Sequence, residues 1–134
     1  MAPNYEQEVI DLHDFFQGWL DGTAPNTPDY YARVNTVLAD DFTLINPDGT
    51  RTTGKQLLDN VRDAHGARVG WRMWTENTQL RLQSGELFVV TYEEWHERDG
   101  ETTARICTAV LRADANAPNG VVWLHVQETW MDVA

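Results

Sequence analysis

Cysteine is almost missing from this sequence. Cys107 stands alone among the 134 residues, so no disulfide can form within the chain. The lone thiol and the four histidines fall at none of the spacings of a structural zinc site. Long apolar runs are missing too: nothing approaches the roughly 20 residues that a bilayer-spanning helix needs. Met1 to Glu8 carries neither the basic flank nor the apolar stretch of a secretory signal. Positive charge is scarce, with 10 Lys and Arg against 21 Asp and Glu and a net charge of −11. That balance argues against a nucleic-acid partner, which needs clustered cations, and against docking on anionic lipid. These shortages lead us to expect a cytoplasmic protein with no metal, no cofactor, no nucleic-acid partner and no membrane. The length suits one domain, residues 1–134, large enough to bury a core unaided.

What is present divides into two halves. The first reads at helical period and the second at strand period, the order of an α+β fold rather than of alternating βαβ units. Val9, Leu12, His13, Phe16, Trp19 and Leu20 recur at steps of three and four and predict a helix over 5–21, stopped by Gly22 and Pro25. Thr27-Pro28-Asp29 opens a second helix, with Tyr31, Val34, Val37 and Leu38 as its expected buried side. Phe42 to Asn46 predicts a strand turned by Pro47-Asp48-Gly49. Thr53 and Gln56 have the spacing of a capping box and open a third helix, with Leu57, Leu58, Val61 and Ala64 inward and Gly66 as its stop.

From Val69 onward the pattern is strand and turn. Strands are predicted over 71–83, 87–98, 102–113 and 121–132, with turns at Ser84-Gly85 and Asp99-Gly100 and a loop over 114–120. Asp-Gly between alternating runs is a strong hairpin signal, and it fixes register. If Arg98 faces Glu101, Glu94 lies opposite Arg105 and Tyr92 opposite Cys107. One face then carries Val90, Tyr92, Glu94, His96, Arg105, Cys107 and Ala109, a mix of small and polar groups suited to lining a pocket. An in-phase last strand would add His125 and Gln127 to it.

The order of elements resembles the nuclear transport factor 2-like superfamily. Its carriers are the run from Asp41 to Gly49, then Gly54 and Leu57-Leu58, and the closing strand from Trp123 to Trp130. The closing strand is similar to that of the SnoaL-like and kinase-association-domain branches, with Gln127, Thr129 and Met131 where those branches carry two His and a Ser. The resemblance implies a cone-shaped roll, with three N-terminal helices packed on a curved, mostly antiparallel sheet. It also implies a pocket that serves isomerases, cyclases, dehydratases or plain binding modules, so fold alone does not choose among them.

Candidate site residues follow. His13, Tyr92 and Glu94 are the candidates for acid–base chemistry: an imidazole for proton transfer, a phenol for an oxyanion, a carboxylate for activating water. Phe16, Tyr31, Arg105, Cys107, His125 and Gln127 are candidates for lining the pocket. Each has a plainer alternative. Glu94 with Arg105 can be a cross-strand ion pair, His13 a satisfied core histidine, Tyr31 and Tyr92 packing groups and Cys107 an inert buried thiol. The expected function is small-molecule binding, with a cofactor-independent isomerase, cyclase or lyase and a protein-assembly module as alternatives. The apolar outer face of the strands suggests a homodimer.

Overall fold

A computed structural model describes residues 2–133. Helix α1 (Tyr5–Asp21) starts where the Asn4 side chain accepts the Gln7 N–H, and ends at Gly22, whose φ of 85° suits the left-handed cap. A side chain at Gly22 would also meet the backbone of Gly66, 3.1 Å from an added Cβ. The two glycines thus let the segment after the third helix lie against the end of the first. Helix α2 (Pro28–Asn35) is capped by Thr27 and buries Tyr31 and Val34.

Val37 and Leu38 do not continue α2 as expected. The helix ends at Asn35, and the Val37 carbonyl accepts the Trp123 N–H at 2.8 Å, drawing the chain into the sheet. Strand β1 (Leu38–Ile45) therefore begins four residues before the expected start at Phe42. Strand β2 (Arg51–Thr53) returns beside it and leads directly into α3 (Gly54–Asp63), where both halves of the Thr53–Gln56 capping box form.

The remaining strands are β3 (Arg72–Ser84), β4 (Leu87–Arg98), β5 (Glu101–Ala113) and β6 (Val121–Trp130). All six strands join one curved sheet in the order β2-β1-β6-β5-β4-β3, antiparallel throughout except where β1 runs parallel to β6. The β4–β5 register is the one the Asp99-Gly100 turn dictates: Arg98 faces Glu101, Glu94 faces Arg105 and Tyr92 faces Cys107. The β3–β4 turn sits one residue later than expected, at Gly85 and Glu86, with Ser84 facing Leu87.

The last strand departs from simple alternation. Val110 faces His125, but Leu111 faces Trp123, so Leu124 is an extra residue in β6. Such a bulge reverses which side chains point inward on either side of it. Trp123, Val126 and Glu128 consequently share the concave face, while His125 and Gln127 turn to the other one. The core lies between that concave face and the helices, with Val9, Leu12, Phe15 and Trp19 of α1 against Val90, Tyr92, Ala109 and Trp123. No helix among the described residues is long and apolar enough to cross a membrane.

One charged group is wholly inside. The Glu8 carboxylate is fully buried, and accepts from Arg33 at 2.7 and 3.3 Å, Asn119 at 3.0 Å and the Trp123 indole at 2.9 Å. Every lone-pair direction is used, which offsets the cost of removing the charge from water. This network locks the start of α1 to α2, to the loop before β6 and to β6 itself.

Candidate functional site

Between α1, α3 and the concave face lies a cleft of about 250 Å³. Leu12, Phe16, Leu20, Phe42, Leu57 and Val126 are among its apolar walls. At one end His13, Tyr92, Glu94, His96, Arg105 and Glu128 converge.

The helix positions His13 through its own backbone. The Val9 carbonyl, one turn earlier, takes a hydrogen bond from His13 Nδ1 at 2.7 Å. A carbonyl only accepts, so Nδ1 carries a hydrogen. The other ring nitrogen, Nε2, lies 2.9 Å from Glu94 Oε1. With Nδ1 protonated, a neutral ring would present a bare lone pair to that carboxylate. The contact therefore requires a proton between Nε2 and Oε1. Burial works against charge on His13, but the hydrogen bond and charge of Glu94, with Val9 and Glu128, outweigh it and raise its pKa above 6.5. Burial likewise opposes charge on Glu94, yet the bonds from His13 and His96 hold its pKa far below the ordinary carboxylate range. The pair is an imidazolium and a carboxylate.

The second oxygen of Glu94 accepts from His96 Nε2 at 2.7 Å. Arg105, expected opposite Glu94, brings its Nε only to 3.6 Å of that oxygen, and this buried N–H has no hydrogen-bond partner. Its closer ion pair is with Glu128, 3.1 Å from Nη1, while the guanidinium lies over the Trp130 ring at 4.6 Å. Burial and the neighbouring Glu94 charge raise the Glu128 pKa, opposed by Arg105. Glu94, Cys107 and Glu128 could place donors within 4.8 Å of one another. Arg105 already supplies the positive charge between the two carboxylates, so a metal ion there would have to displace it.

Tyr92 lines the cleft with its ring centre 5.2 Å from that of His13. Burial, then the nearby Cys107 and the two carboxylates, push its hydroxyl well above 10, so it remains a neutral O–H. Phe16 forms wall, edge-on to His13. Four of the residues proposed from sequence stand elsewhere. Tyr31, on α2, donates its hydroxyl to the Leu58 carbonyl of α3, outside the cleft. Cys107 is fully buried behind it, its thiol 3.7 Å from Glu128, and burial raises its pKa strongly. His125 bonds Thr43 at 2.7 Å and Gln127 lies exposed opposite Thr108, both on the far face, because the Leu124 bulge inverts the phase on which their placement rested.

Two residues of the polar end are not among the candidate site residues. The hairpin register puts His96 on the pocket-lining face with Glu94, two positions away, and that spacing could have selected it. Glu128 had no such signal, since its direction depends on the bulge.

Solved structures share this architecture. An NTF-2 like protein of unknown function from Pseudomonas aeruginosa superposes with a TM-score of 0.84 at 24% identity, covering 96% of this chain and 98% of that one. The CaMKII hub of S. rosetta gives 0.61 at 19%, covering 98% of each chain. At these identities the likeness shows the fold alone, and that fold is nuclear transport factor 2-like. In sequence, the chain is 27% identical over 129 residues to "Probable sucrose-phosphatase 2" of Arabidopsis thaliana and 21% identical over 131 residues to "Probable sucrose-phosphatase 1". It covers 95% and 96% of itself in those matches but spans only 30% of the length of each relative. Residues 5–132 match the family described as Sucrose-6-phosphate phosphohydrolase C-terminal, and the chain belongs to that family.

Proposed function

We propose that this domain binds a small molecule in the cleft, with the ligand's apolar surface against Phe16, Leu57 and Val126 and its polar end on His96, Glu94 and Arg105. The observation that supports this most is an apolar-walled space of about 250 Å³ ending in a cluster of buried charges. Those charges largely satisfy one another: both oxygens of Glu94 are taken, and His13 is held at both nitrogens. A set arranged in this way serves recognition, with fixed donors and acceptors that cost little to reorganise. The names of the Arabidopsis relatives and of the family supply the first compounds to try, sucrose and sucrose 6-phosphate.

The test is fluorescence titration with N-phenyl-1-naphthylamine, a neutral apolar probe, followed by competition with those two sugars. Saturable binding that Leu57→Trp abolishes by filling the cleft, in a variant that keeps its circular dichroism, supports the reading. No saturable binding to the unmodified protein overturns it.

A second reading is acid–base catalysis, favoured by the His13–Glu94 contact of 2.9 Å within the cleft and by the neutral Tyr92 hydroxyl beside it. Turnover of an isomerisable or dehydratable carbonyl compound that His13→Gln removes would select it, and a rate unchanged by that variant would exclude His13. The outer face of the sheet, with Ile106 about half exposed and Trp74 stacked on Trp95, supports a homodimer. Sedimentation equilibrium of the protein and of Ile106→Glu distinguishes dimer from monomer.

A further inference from the structure

The cleft does not end at His96. A second hollow of about 510 Å³ opens beyond it, lined by Arg68, Trp71, His96, Arg98 and Thr103 with the acidic Asp99 and Glu101. Arg68 and His96 line both spaces and so form the neck between them. Trp71 sets the positions of both. The His96 ring meets it edge-on with centres 5.0 Å apart, and the Arg68 guanidinium lies over its ring at 5.1 Å. The backbone under Arg68 is pinned as well, Gly66 N–H to the Trp19 carbonyl at 3.0 Å and Arg68 N–H to the Leu20 carbonyl at 2.8 Å.

The charge at this neck is left over. The sequence holds 21 acidic residues against 10 basic ones, yet among the described residues Arg68 pairs with no carboxylate. Arg98, in the same outer hollow, has Asp99 at 3.9 Å. An arginine held over an indole face keeps N–H donors free for a planar or tetrahedral oxyanion.

We infer that the neck is an anion subsite, in which Arg68 receives the carboxylate, sulfonate or phosphate of a ligand whose uncharged body occupies the inner cleft, with His96 as the facing wall. The inference rests on the binding function proposed above and names its ligand class: a compact body carrying one anionic group.

A pair of probes separates the two claims. N-phenyl-1-naphthylamine and 1-anilinonaphthalene-8-sulfonate share the same aromatic body and differ by a sulfonate. At low salt the sulfonate probe is expected to bind the unmodified protein about fivefold more tightly or better. Arg68→Gln should erase that preference while the neutral probe's Kd stays within about twofold, and Arg68→Lys should restore part of it. Arg81→Gln removes a distant cation bonded to Thr91 and should change neither probe, which controls for net charge. If the neutral probe binds but the sulfonate gains nothing, or its gain survives Arg68→Gln, the anion subsite is wrong and the cleft reading stands. If the neutral probe does not bind, the cleft reading fails and the subsite with it.

Discussion

Glu94→Gln tests the charge state of the His13 pair directly. In the unmodified protein His13 is an imidazolium with its pKa raised above 6.5. A group raised in this way stabilises fully below the unfolded value near 6.5 and loses that contribution as pH climbs through the folded value. Glu94, with a depressed pKa, contributes above its ordinary value of 4.5 and loses that only as pH falls through the folded value, so it does not titrate in the neutral range. The glutamine variant can keep both hydrogen bonds, the amide oxygen accepting from His96 and the amide N–H₂ donating to His13 Nε2. That arrangement requires a neutral His13, because the partner that most offsets burial has lost its charge. At about pH 5.5, one unit below 6.5, holding the imidazole neutral costs roughly 1.4 kcal/mol. Every unit by which the native His13 pKa exceeds 6.5 widens the deficit by the same amount, and all of it is recovered in alkali. The stability gap between the two proteins should therefore shrink by at least about 1.4 kcal/mol between about pH 5.5 and 8.5. A chain of 134 residues unfolds with an entropy of about 0.28 kcal/mol/K, so the same change is about 5 °C in Tm. Urea unfolding at both pH values measures it, with both proteins carrying His96→Gln because His96 also bonds Glu94; the histidines that do not touch Glu94 cancel in the difference. A gap of equal size at both pH values would show that His13 is neutral and the charge assignment wrong.

Two other predictions concern the frame around the site. Glu8→Leu strands Arg33 and the Trp123 indole without their acceptor and leaves the Asn119 amide only Asp11, and should cost about 3–5 kcal/mol, or about 11–18 °C in Tm; adding Arg33→Met should recover part of the loss rather than add to it. Thermal scans of the two singles and the double decide it, and strictly additive losses would dismiss the coupling. Cys107 is fully enclosed with its thiol held protonated, so an aromatic disulfide reagent should label it at the rate of unfolding and not of solvent exchange. Fast labelling in native buffer, unchanged by added denaturant below the transition, would contradict that.

Local rules carried most of the architecture. The first helix is bounded by a three-and-four spacing and a left-handed glycine, the third by its capping box, and the β4–β5 register by two turn residues, because each is fixed by groups a few positions apart. Glu94, Tyr92 and Arg105 were placed on one face by the same turn. Tertiary structure alone decided the rest. Whether Glu94 meets His13, 81 residues away, depends on how a helix seats on a curved sheet, and no spacing encodes that distance. The side chains that β6 sends inward depend on one extra residue at Leu124, which lets Trp123 reach buried Glu8 and swings Glu128, in place of His125 and Gln127, toward Arg105. Alternation is a property of a regular strand, and a bulge is settled only when the whole core closes around it.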